Sequence, residues 1–183
     1  MVRKLIAAAL ALLLLVSGCD AQPETSAPAF NDTDVMFLQM SLTQIDEGDQ
    51  VAALAEQRAI DPRLRSLATE LRAQWREESA TMRGRLQDWK QPLEANPSAG
   101  AHAGHGDLHN LRPSDIGELS NARGEAFDRT AVTLLLGHLG NCVETARMES
   151  AGGAHPDVRA LGTNVASRRQ SQIQSLLKLA AEP

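Results

Sequence analysis

The sequence predicts an all-α fold, a four-helix bundle made of two repeated helical hairpins joined by a long central crossover. Three observations predict it. Apolar residues recur at three- and four-residue spacing through four long stretches, and N-cap and proline signals open those stretches. Between the second and third stretches, residues 91–112 are rich in Gly, Ala, Pro and His and read as a crossing loop. Almost nothing alternates as a half-buried strand would. Helix pairs on short turns with one long connection describe a bundle.

Each element carries its own signal. Asn31 is a good N-cap with Asp34 three residues on, and Phe30 and Val35 sit where a hydrophobic staple would. The first helix should run to about Gln57. Asp61-Pro62 opens the second, with Asp as cap and Pro at the first helical position. Its stripe is Leu64, Leu67, Leu71, Trp75, Met82, Leu86 and Trp89. Ser114 opens a short helix to about Ala122, and a longer one runs from Glu125 to Ser150. Gly152-Gly153 breaks the chain, and Pro156 starts a last helix carrying Val158, Leu161, Val165, Ile173 and Leu176.

The two halves resemble each other. A gapless slide of 94 positions pairs Asp34 with Asp128, Leu42 with Leu136, Ala52 with Ala146 and Pro62 with Pro156. It also pairs Arg65 with Arg159, Leu67 with Leu161 and Thr69 with Thr163, and apolar positions follow suit. Preserved helix starts and matching stripes argue for duplication.

The residues that break the stripes bear on function. Glu78 falls on the seam of the second helix, and its repeat mate Gln172 lies between Arg169 and Leu176 on the fourth. His138 follows Phe127 and Leu134 on one face of the third, and its mate is Gln44. The repeat therefore predicts a polar layer of Gln44, Glu78, His138 and Gln172 across the bundle. A buried carboxylate needs a partner, since desolvation costs several kcal/mol. A protonated His138, amide donors from Gln44 and Gln172, or a metal ion would each serve. His138 and Cys142, four residues apart, could hold a soft ion such as Cu(I), with Met82 or Met40 near. The competing reading is a hydrogen-bonded layer with a small buried thiol.

The N-terminus supplies an address. Arg3 and Lys4 precede an apolar stretch, Leu5 to Val16, too short to span a bilayer, which reads as a secretory signal. Val16-Ser17-Gly18-Cys19 resembles the bacterial lipobox. Residues 1–18 are then a leader, Cys19 is acylated to anchor the chain in a membrane, and 19–30 form a Pro/Ser/Ala tether before a domain over 31–183. Asp20 after the cysteine favours inner-membrane retention, facing the periplasm. Without the leader, 16 basic residues face 23 acidic ones, a net charge of −7. An acidic, tyrosine-free chain with no basic run does not suit nucleic acid. With Cys19 acylated, Cys142 is the one thiol left, and the fold must rest on its core.

The chain resembles the bacterial family called domain of unknown function 305, exported ferritin-like helical bundles often associated with copper. Asp34-Val35-Met36-Phe37-Leu38-Gln39-Met40 matches the family's opening Phe-x-Gln-Met, and Phe127-Asp128-Arg129 the start of its third helix. Glu78 and Met82 match its Glu-Ile-x-x-Met, and Pro156-Asp157-Val158-Arg159-Ala160-Leu161 the opening of its fourth helix. The resemblance spans most of residues 34–178 and implies a ferritin-like bundle. The family's two His-His signatures read here Ser41-Leu42-Thr43-Gln44-Ile45 and Leu135-Leu136-Gly137-His138-Leu139-Gly140, so one histidine of four remains. Inherited metal chemistry is correspondingly reduced.

His102, His105 and His109 form a second candidate site. Three imidazoles within eight residues, on a Gly-rich backbone, suit Cu(II), Zn(II) or Ni(II) in a labile site. A solvated loop is the alternative. No nucleophilic triad or phosphate-cradling Gly loop appears, and one Glu with one His falls short of a dimetal centre, so no enzyme activity is expected. Two functions remain in view: a periplasm-facing lipoprotein that binds or buffers copper, or a metal-free bundle that serves as a binding module for another envelope protein.

Overall fold

The computed structural model describes residues 29–94 and 111–182, and within them every regular element is a helix. α1 spans Asp32–Arg58, α2 Pro62–Asp88, α3 Pro113–Asn121, α4 Gly124–Gly152 and α5 Pro156–Ala181. The four long helices start within one residue of the sequence-predicted positions, because their capping chemistry is local. Asn31 Oδ1 accepts from the Asp34 backbone N–H at 3.1 Å, and Asp34 Oδ2 accepts from the Asn31 N–H at 2.7 Å. Asp61 caps α2 through the Arg63 N–H at 2.7 Å, and His155 caps α5, each directly before a proline. Phe30 differs from expectation. Its ring stacks on Trp89, the C-cap of α2, at 4.1 Å between centroids.

The stripes meet in one core: Phe37, Leu38 and Leu42 from α1, Leu64, Leu71, Trp75 and Leu86 from α2, Phe127, Leu135 and Leu139 from α4, and Val158 and Leu176 from α5. α1 packs broadly on α2 and on α4, and α4 on α5, whereas α2 and α5 approach each other sparsely. Long side chains bridge that wider gap. None of the described helices is long and apolar enough to cross a membrane.

The repeat is visible in contacts as well as in sequence. Asp34 of α1 accepts from the Ala154 and His155 N–H groups at the start of α5, both at 3.0 Å. Asp128 of α4 accepts from the Ile60 and Asp61 N–H groups at the start of α2, at 3.1 and 2.8 Å. Donors and acceptors alike are related by the 94-residue slide. Each hairpin thus clasps the turn of the other. Thr69 on Glu56 and Thr163 on Ser150 form another related pair, at 2.9 and 3.3 Å.

Candidate functional site

All four predicted layer residues are buried: Gln44, Glu78, His138 and Gln172. Periodicity places them inside because each shares a face with large apolar neighbours. Their partners differ from those expected. They divide into two groups, with Trp75 between them.

The first group spans α2 and α5. Glu78, 4% exposed, pairs with the guanidinium of Arg169, itself 1% exposed, through Oε2 and one terminal nitrogen. Arg169 donates also to Gln172 Oε1 at 3.1 Å and to Gln74 Oε1 at 3.2 Å. Gln172 Nε2 donates to Gln74 at 2.8 Å, and the half-exposed Arg168 lies 3.6 Å from Glu78 Oε1. Burial pushes the Glu78 carboxyl above its usual range, against the pull of Arg169 and Arg168. The counter-charge of Glu78 is therefore an arginine, neither a protonated His138 nor a metal ion. The seam 165, 169, 172, 176 already held Arg169 inside, but arginine usually carries its head to water. Its burial was the signal to weigh.

The second group spans α1 and α4. Gln44 Nε2 donates to Thr145 Oγ1 at 2.9 Å. The His138 ring bonds the Gln44 backbone carbonyl and lies 3.7 Å, at Nε2, from Cys142 Sγ. Burial, helped by the positive charge of Arg169, pushes the imidazole down to about 4, so it is neutral at physiological pH. Burial likewise pushes the Cys142 thiol up to about 12. Trp75 meets His138 edge to face at 6.0 Å, and Arg169 sits over its ring at 5.6 Å. A Cβ on Gly48 would lie 2.8 Å from Trp75 Cη2 and clash with His138, so this close approach requires glycine.

This arrangement does not fit an internal metal ion. Glu78 is neutralised by an arginine whose charge would repel a second cation, and one His138 nitrogen is committed to a backbone carbonyl. Cys142 is a buried thiol whose proton a metal ion would have to displace. Met82 is buried on α2 one turn beyond Glu78, and Met40 is half-buried on α1. Among the described residues no group of three or more His, Cys, Asp or Glu is placed to hold an ion. His102, His105, His109 and Cys19 lie outside the described residues.

A second buried acidic site escaped the sequence reading. Glu149 of α4 is 0% exposed, its carboxyl within hydrogen-bonding reach of Asp34. Burial and the neighbouring Asp34 push it up to about 8. Glu149 follows Cys142 and Thr145 on the inner face of α4, and that periodicity was the available signal.

An all-helical bundle in which the polar layer between α2 and α5 pairs its own buried charges is the class that the fold and these contacts define. The sequence profile of Domain of unknown function (DUF305) matches residues 34–180, and the chain belongs to that family. No curated protein matches it. Among solved structures it is similar to a DUF305 fragment from Deinococcus radiodurans, at 21% identity and a TM-score of 0.73, covering 85% of this chain and 100% of that one. A secreted-type DUF305 protein from Streptomyces coelicolor aligns at 17% identity and a TM-score of 0.76, over 82% of this chain and 93% of that one. CopM in its Cu(II)-bound form aligns at 19% identity and a TM-score of 0.66, over 80% and 94%. At these identities the likeness establishes the all-helical fold.

Proposed function

We propose that this chain is a copper-binding lipoprotein of the cell envelope, in which the bundle is a metal-free scaffold and His102, His105 and His109 supply the ligands. The observation that carries the reading is the seating of Arg169 on Glu78. The polar layer closes its own charge, which directs a copper ion to the histidine segment. Support comes also from CopM, a neighbour in fold that has been crystallised with Cu(I), Cu(II) and silver. Three imidazoles on a glycine-rich backbone suit exchange and buffering of a borderline ion more than catalysis. Cys19, if acylated, would hold the domain at a membrane through the tether over residues 20–30.

The test is copper titration of the full chain, followed by calorimetry, beside two variants. Replacing His102, His105 and His109 by Ala should abolish binding, whereas His138→Ala with Cys142→Ala should leave the stoichiometry unchanged. The same self-closed interior also favours a metal-free module that binds another envelope protein. Binding no tighter than millimolar in the parent chain, with a melting temperature unmoved by chelator, would favour that second reading.

A further inference from the structure

The repeat shows where the two halves of the protein differ, and one difference has no structural need. Asp128 clasps the α1–α2 turn with a single carboxylate, and the residue beside that turn is the buried Ala55. Asp34 clasps the α4–α5 turn by the same two bonds, yet the repeat mate of Ala55 is Glu149. A second acid has been placed against a clasp that works elsewhere without one.

The surroundings of Glu149 favour its neutral form. Neither oxygen receives a donor from the protein. Asp34 already accepts three backbone N–H groups, from Asn31, Ala154 and His155. A protonated Glu149 would add a fourth donor, whereas an ionised one would set two carboxylates together out of water. The backbone closes over the pair. A Cβ on Gly153 would lie 2.8 Å from Glu149 Oε2, and one on Gly162 2.9 Å from Glu149 Cγ. Asp34 from α1 and Arg159 from α5 act on it, the second attracting the ionised form, and the buried His155 lies in the adjoining turn. His155 is itself engaged, with Nδ1 accepting from the Asp157 N–H at 3.3 Å and its ring against Trp89.

We propose that Asp34 and Glu149 form a proton-loaded clasp that fastens the start of α1 to the α4–α5 turn and loosens when the proton leaves. Asn31, whose side chain donates to the Gly152 carbonyl at 2.9 Å, moves with it. The clasp sits at the first turn of α1, so its opening frees that turn from the start of α5. Between pH 4.5 and about 8 the closed form holds a proton that the open form has lost. Opening therefore becomes easier by about tenfold per pH unit across that window and levels off above it.

Native-state hydrogen exchange on the full chain tests this through the Ala154 and His155 amides, which donate to Asp34. Their protection factors, corrected for intrinsic exchange, should fall across the window in the parent chain and stay flat in Glu149→Gln, whose amide donates at every pH. A flat parent profile, or an equal fall in Glu149→Gln, overturns the proposal. So does recovery of protection at alkaline pH on adding millimolar calcium, which would make the pair a cation site. If Glu149→Gln does not fold, carbon-13 titration of Glu149 in the parent chain decides: a midpoint well above 4.5 supports the clasp, and an ordinary one refutes it.

Discussion

Removing the Arg169 guanidinium should be among the costliest single changes in the bundle. Arg169→Met keeps the length and apolar stem of the side chain but deletes the charge facing Glu78. Both partners are almost wholly excluded from water, and stripping one partner from such a pair costs on the order of 3–5 kcal/mol. The charge-assisted bonds from the guanidinium to the amide oxygens of Gln74 and Gln172 are lost as well, each contributing about 1.5–3 kcal/mol. Since Glu78 can bind a proton instead, the penalty depends on pH. Its folded pKa is already raised by burial and rises further without Arg169. Below the unfolded value of 4.5 the carboxyl is neutral in both states and the ionic part of the deficit vanishes. Between 4.5 and the parent's own raised folded value both proteins lose stability alike; above that value the deficit grows by about 1.4 kcal/mol per pH unit until the variant's higher folded value is reached. Urea denaturation at several pH values measures this as a shift in midpoint at constant slope. Glu78→Gln with Arg169→Met should recover most of the loss, because no isolated charge remains. A single variant costing under about 1 kcal/mol, or a double variant as weak as the single, would refute the argument that the pair closes the core electrostatically.

Other outcomes follow from the same contacts. Gly48→Ala forces a methyl against His138 and Trp75 and should destabilise the protein by about 1–3 kcal/mol, read by thermal unfolding. Asp128→Asn weakens both bonds to the α1–α2 turn; about 1–3 kcal/mol should be lost, with exchange quickening first at Ile60 and Asp61. Cys142, buried and held protonated, should resist iodoacetamide in the folded chain at mildly alkaline pH and react on unfolding, as mass spectrometry would show. The His138 ring should show no proton NMR titration above pH 5 or so, since it is held neutral by burial down to about 4.

What the sequence disclosed and what it withheld divide along physical lines. Asn31, Asp61 and Pro156 act on their own neighbours within three residues, so helix starts could be read from the chain. The burial of Glu78, His138 and Gln172 followed from helical period. Pairing across helices did not. A seam position states that a side chain is inside but not which element meets it. Arg169 and Gln74 reach Glu78 and Gln172 only because α2 and α5 stand apart and long side chains span the gap. Glu149 was hidden for a similar reason: its neighbours Asp34, Gly153 and Gly162 are brought together by three separate segments.

The duplication explains why so few of these positions could have kept a symmetric ligand set. Where the halves still agree, as at Asp34 and Asp128, they do the same work at opposite turns. Where they disagree, the members of a pair complement one another in space. Glycine at 48 makes room for the imidazole at 138, while the mates of those two residues are Cys142 and Gln44. Trp75 offers its ring face to Arg169, which is its own repeat mate. Such pairs cannot be returned to identity one residue at a time: a second bulky side chain at 48 would strike His138, and a second arginine at 75 would bury a charge without a carboxylate. The halves have become two unequal parts of one interior. Metal chemistry that depends on matched ligands from both hairpins would require several coordinated reversals in a core that is already closed.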